Sequence, residues 1–282
     1  MITLNLFDYN FRQCECGTAH QTPTHTRYIR HQQAWGGYTL FTDGYVIDGT
    51  ARRVESAVKY GWLHEPPTII PGVYEKAPTV VGDFDAILTY YAPLLALDGF
   101  RFAPYGGVWI PRDKWGLRPK HRLVSMLIGE KMTAPGHRMR HDISRIIPDG
   151  AGVDFYGVRG EPVGYGSDTK LRVLADHMFS IICETSRDDN LFTEILLDCF
   201  AVGTIPIFWG ADNIGDYFDD SGILVIRNAE DALYYLSCLS ESLYKAMLPA
   251  AENNLGAIRQ YRTTEDWMYN HGYFGVDNAQ GL

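Results

Sequence analysis

The chain has 282 residues, 46 % of them hydrophobic and 13 % aromatic, with a formal net charge of −9. That length holds one large domain or two ordinary ones, and the composition excludes a disordered chain. The acidic balance disfavours non-specific nucleic-acid binding while permitting a local basic pocket for a small anion, and the lack of any 18-residue apolar run excludes a transmembrane helix.

ITLNLF (2–7) reads as a first β-strand, and MITLNLFDYNF has neither the basic start nor the cleavable apolar stretch of a signal peptide. Cys14 and Cys16, near His20 and His25, suggest a metal site. Cys-x-Cys without a second pair is weak for zinc, so an ordinary loop is expected. Five cysteines, three of them in apolar contexts, read as free thiols in a reducing, cytoplasmic compartment. GYTLFT (37–42) is a strand of alternating β-branched and aromatic residues. RRVESAVKYG (52–61) reads as a short helix ended by Gly61. FDAILTYY (84–91) is a buried strand, followed by helix-like APLLALDG and then FRFAPYGGVWI. This alternation predicts βα units on a mostly parallel sheet.

PRDKWGLRPKH (111–121) is charged, carries two prolines and has a linker composition. A second α/β unit follows. RLVSMLIG (122–129) is a strand, GHRMRHDISRIIP (136–148) a helix ended by Pro148, VDFYG (153–157) a strand and KLRVLADH (170–177) a helix. MFSIICE (178–184) is nearly all apolar, as expected of a central parallel strand covered on both faces. NLFTEILLDCFAVG (190–203) is an amphipathic helix with Gly203 near its C-cap. TIPIFWG (204–210) is a buried strand whose Phe208 and Trp209 belong to the core. ILVI (223–226) and two helices close the chain. The predicted boundaries are 1–112, 118–260 and a tail, 261–282.

In open α/β sheets, ligands bind outside the carboxyl ends of the strands. The loop after 178–184 holds Glu184, Thr185, Ser186, Arg187 and Asp188, and the next helix begins near Asn190 with Thr193 and Glu194 in its first turns. A carboxylate there can accept hydrogen bonds from ribose hydroxyls, and free N–H groups at a helix start can receive a phosphate. Glu194 also suits the helix start by its charge alone, and the pattern leaves both readings open.

The segment ICETSRDDNLFTEILLDCFAVGTIPIFWG resembles the donor-binding motif of the α-1,3-fucosyltransferase family, glycosyltransferase family 10. The matching positions are Phe179, Glu184, Ser186, Thr193, Glu194, Gly203, Thr204, Pro206 and Gly210. RLVSMLIGEKMTAPGHRMRHDI is similar to the family's strand-loop-helix with a donor-phosphate arginine, matched by Arg140, with Arg138 as the near alternative. FDAILTYYAPLLALDGFRFAPYGGVWI resembles the end of its acceptor domain, and the likeness covers about residues 60–220.

The resemblance implies an α/β fold of GT-B type, with two Rossmann-like domains facing across a cleft, the first on the acceptor side and the second binding the nucleotide sugar. It implies an inverting transfer without an essential metal or other cofactor, a nucleotide-sugar donor such as GDP-fucose and a glycan acceptor. Its catalytic base is matched by Glu65 in WLHEPP (62–67). Arg140 would hold the diphosphate, and Glu184 and Glu194 the ribose or sugar hydroxyls. Thr185, Ser186, Arg187, Asn190 and Thr193 would complete the donor loop, with His64 and Tyr105 bordering the acceptor. Two positions depart from the family: Thr185 stands for an asparagine, and Ile195 for a lysine expected on the donor phosphates, which Arg187 is placed to replace. A different donor sugar, a modified DNA base or protein as acceptor, and a catalytically silent sugar-nucleotide binder are the alternatives. The acidic charge argues against DNA.

Overall fold

The computed structural model describes residues 1–9, 17 and 19–275, so the Cys14–Cys16 pair lies outside the described residues. The chain divides into two compact units, Met1–Gly107 together with the segment from Gln260 onward, and Val108–Arg259.

In the first unit, β1 (Ile2–Phe7), β2 (Thr26–Arg30), β3 (Ala34–Thr42), β4 (Glu55–Trp62), β5 (Ala86–Thr89) and β6 (Phe100–Phe102) form a parallel sheet in the order β2-β1-β3-β4-β5-β6. Helical segments α1 (Gly44–Ile47), α2 (Thr50–Arg53), α3 (Pro71–Val80) and α4 (Ala92–Leu95) join them. Leu4, Leu6, Leu40, Phe41, Ile87 and Leu88 are wholly buried, as both faces of a covered parallel sheet require. The buried Asn5 amide donates to Gln32 O (2.9 Å) and Thr39 Oγ1 (3.2 Å), which fixes β1 against β3 at no unsatisfied polar cost.

The stretch 52–61 is not a helix. Only Thr50–Arg53 makes a turn, and Glu55–Trp62 is a strand between β3 and β5. Gly61 is there for closeness: a Cβ on it would stand 3.0 Å from Ile87 Cγ1 of the neighbouring strand.

In the second unit, β7 (Arg122–Ile128), β8 (Val153–Gly157), β9 (His177–Cys183), β10 (Ile205–Trp209) and β11 (Leu224–Val225) run parallel in the order β11-β10-β9-β7-β8. The helices are α5 (Pro135–Ile146), α6 (Ser167–Leu174), α7 (Glu194–Ala201), α8 (Ala229–Cys238) and α9 (Glu241–Ala257). Val124, Met126, Phe179, Ile181, Ile205 and Ile207 form the core between sheet and helices, with Phe208 and Trp209 buried as expected. The strand order reverses between β7 and β9, so their carboxyl ends flank the switch point at which such sheets bind ligands.

Residues 261–275 are no tail. Helix α10 (Thr264–Asn270) belongs to the first unit: Tyr28 Oη donates to Glu265 Oε1 (2.6 Å), and Asp266 accepts from the amides of Thr24 (2.8 Å) and His25 (3.0 Å). Among the described residues, no helix is long and apolar enough to cross a membrane.

Candidate functional site

In the second unit the loops leaving β7 and β9 interlock. Gly136, in the first turn of α5, donates its N–H to Thr185 O (2.9 Å), and a Cβ on it would fall 1.6 Å from Glu184 O. Only glycine lets the start of α5 sit this close to the exit of β9. That packing carries Arg140 to the strand ends, where its Nη2 donates to Cys183 O (3.1 Å). Its Nη1 would lie 3.9 Å from a Cβ on Gly129, just past β7. Arg138 turns the other way, onto Thr133 O (2.9 Å), and is exposed. Burial, and then the charges of Arg140, Lys131, His141 and Arg138, hold His137 below its ordinary range. The start of α5 is therefore a cationic spot on an acidic chain, with helix-start N–H groups beside it.

The residues expected in a donor loop differ in how far the fold engages them. Glu184 is 0 % exposed, and its two oxygens accept from Thr193 N and Thr193 Oγ1, each at 2.8 Å. Glu184 thus holds the start of α7 with both oxygens. Burial raises its carboxyl to about 7. Thr193 caps α7, its Oγ1 accepting from Ile195 N (3.2 Å). The helix thus begins at Glu194, four residues later than expected. Leu191 and Phe192 extend the apolar pattern ahead of the cap, but Asn190 has φ 68 and ends any helix there. Asn190 is tied to the segment that follows β10. Its Oδ1 accepts from Asn213 Nδ2 (2.8 Å) and Tyr217 Oη (2.7 Å). Ser186 is buried and donates to Asp188 Oδ2 (2.6 Å). Thr185 Oγ1 is buried with no hydrogen-bond partner among the described residues.

Arg187 pairs with Asp212, so its charge is already matched. A cation that sequence reading missed lies elsewhere: Lys170 of α6, whose Nζ is 3.7 Å from Glu194 Oε1 and 5.5 Å from the centre of the Trp109 ring. Trp109 meets the Tyr165 ring edge-on at 5.1 Å, and Tyr165 is 73 % exposed. Lys170 precedes Glu194 by 24 positions, so no short motif joins them. Asp198, also missed, accepts the amides of Trp109 (2.9 Å) and Ile110 (3.0 Å) with Oδ1 and is raised by burial to about 7.

In the first unit, the expected acceptor-side residues are together. The His64 ring lies 4.0 Å from that of Tyr105 and meets Trp62 edge-on at 5.3 Å. Burial lowers His64 to about 3, so it is a neutral imidazole. Glu65 follows it, with its carbonyl accepting from Tyr74 Oη (2.9 Å). The Tyr105 carbonyl accepts from Thr264 Oγ1, which ties this turn to α10. Asp43, at the end of β3, takes an unusual backbone conformation, φ 48 and ψ −110, that costs a non-glycine residue roughly 1–3 kcal/mol. Nothing in the sequence pattern marks it.

No protein-family model and no curated protein sequence matches this chain. Solved structures do. An α1,3-fucosyltransferase with GDP is 14 % identical, over 98 % of this chain and 91 % of that one, at a TM-score of 0.58. The trehalose-6-phosphate protein from E. coli bound with UDP-2-fluoro glucose is 9 % identical, over 87 % and 74 %, at 0.59. An α-glucosyltransferase in complex with UDP and a 13-mer DNA is 10 % identical, over 98 % and 99 %, at 0.56. The chain has the GT-B fold of glycosyltransferases, with two parallel-sheet α/β units.

Proposed function

We propose that this chain is an inverting, metal-independent glycosyltransferase that moves fucose from GDP-fucose to a glycan hydroxyl. The observation that carries the reading is the placement of Arg140 and its cationic neighbours at the carboxyl ends of β7 and β9, beside the start of α5. A diphosphate suits that spot because the guanidinium fork binds its oxygens in pairs and the helix-start amides add N–H donors. Glu194, with its carboxylate held near Lys170, accepts from the ribose hydroxyls.

The chemistry assigned to the chain is short. The Glu65 carboxylate takes the proton of the acceptor hydroxyl while that oxygen attacks the anomeric carbon. The bond from that carbon to the diphosphate breaks on the opposite face. GDP leaves with the electron pair, and Arg140 holds the charge it gains.

Thermal shift against GDP-fucose, GDP-mannose, UDP-glucose and UDP-N-acetylglucosamine tests the donor. The expected result is a rise in melting temperature with GDP-fucose that is lost in Arg140→Ala. A rise with a UDP-sugar alone replaces the donor in this reading. Release of GDP in the presence of a glycan panel and excess EDTA tests the reaction. Glu65→Gln is expected to lose about 10²-fold or more of it while still binding donor. Donor binding without release in the unaltered protein marks a silent binder and ends the enzyme reading.

A further inference from the structure

The first unit builds a device around the segment that carries Glu65. Asp43 directly follows β3, and its N–H donates to the carbonyl of Trp62 (3.0 Å), the last residue of β4. Its side chain then reaches the next turn. Oδ1 accepts the backbone N–H groups of both His64 (2.8 Å) and Glu65 (3.1 Å). Asp43 is almost wholly buried, so these bonds are formed out of water. Its backbone sits at φ 48 and ψ −110, outside the left-handed helical basin in which aspartate is tolerated and in a region populated by glycine. A glycine follows at position 44, so a strain-free residue was one step away in sequence. From this conformation a single side-chain oxygen reaches two successive amides after β4.

We infer that Asp43 is the positioning residue for Glu65: it clamps the His64–Glu65 backbone and so fixes where the Glu65 carboxylate leaves the end of β4. This rests on the reading of Glu65 as the base. Asp43 touches no reacting atom in this scheme and acts through the two amides.

Two variants of the full chain separate the clamp from its charge. Asp43→Asn keeps an acceptor oxygen at the same place. Asp43→Gly removes the acceptor while suiting the backbone angle. In the ligand-free protein, hydrogen exchange at the His64 and Glu65 amides is expected to quicken at least tenfold in Asp43→Gly and to stay within threefold in Asp43→Asn. With GDP-fucose and glycan acceptor, kcat is expected to fall at least tenfold in Asp43→Gly, with the KM for donor unchanged, and to be kept within threefold by Asp43→Asn. Unchanged exchange at the two amides in Asp43→Gly overturns the clamp. So does wild-type kcat in Asp43→Gly, or an Asp43→Asn as inactive as the glycine variant. If glycine leaves the unit unfolded, Asp43→Glu replaces it, keeping the charge but moving the oxygens by one methylene. Wild-type exchange and kcat in that variant overturn the clamp as well. Glu65→Gln in the same assay keeps the two ideas apart. Full activity there removes Glu65 as base, while the exchange data still decide whether Asp43 holds the segment.

Discussion

Glu184 shows how tightly the fold can hold a residue of a recognisable pattern. Its carboxyl is held near 7 by burial, against an ordinary value of 4.5. In the window between those values the folded chain binds more protons than the unfolded one. The stability this group contributes is therefore complete below about 4.5 and lost as pH rises through about 7. Glu184→Gln keeps an acceptor for Thr193 N and has no proton to lose. Measured by urea unfolding from pH 4.5 to 8, its stability relative to wild type is expected to climb by up to ~3 kcal/mol. A flat difference would place the ionised carboxylate at no cost in the folded chain. The missing lysine at Ile195 is a second case. Lys170 pairs with Glu194 and Arg187 with Asp212, and the first pair is the less exposed of the two. Lys170→Met is expected to weaken GDP binding at least tenfold by calorimetry, the scale of a lost charged contact, and Arg187→Ala to weaken it less. The opposite order would make Arg187 the stronger contact to GDP. Arg140, Glu65 and Glu194 stood out as candidates because a resemblance gave them positions. Lys170, Asp43 and Asp198 did not, because each contacts a partner far away in the chain.

The crossing of α5 against the exit of β9 is the tightest element contact of the candidate donor side, and Gly136 is its pivot. Gly136→Ala drives a methyl group into the Glu184 carbonyl, so the loop or the helix start has to move. Overpacking against backbone is expected to cost about 3 kcal/mol by chemical denaturation. A loss below 0.5 kcal/mol would mean that the two elements separate freely. Most strands were readable, since runs such as MFSIICE and TIPIFWG are apolar on both faces. Segment 52–61 was not, because ESAVKYGW mixes charged and small residues with aromatics, and only its seat between β3 and β5 makes it a strand. Strand β2, TRYIR, carries two arginines at the sheet edge and offers little alternation. Helix α3, PGVYEKAPTV, contains two prolines and a glycine, which read as turn signals although Pro71 merely opens the helix.

At the scale of the molecule, the alternation of apolar runs and helical stretches foretold two parallel-sheet units. It did not foretell that the first unit is discontinuous in sequence. The reason is physical: α10 is joined to β2 by Tyr28–Glu265 and Asp266–Thr24, pairs more than 230 positions apart. Deleting everything after Arg259 removes these partners. The Tyr28 hydroxyl and the Thr24 and His25 amides then exchange these acceptors for water, at a net cost of about 0.5–1.5 kcal/mol for each bond. The truncated chain is expected to lose the melting transition of the first unit and to keep that of the second in calorimetry. A single unchanged transition would show that α10 is dispensable. This discontinuity also sets an order of events on the ribosome. The second unit is one uninterrupted stretch and can complete its fold while synthesis is still under way. The first emerges earlier but stays open at its β2 edge until residues 264–270 arrive. The N-terminal half of the protein is therefore the last to be finished, and for that interval its exposed strand edge is what a chaperone would meet.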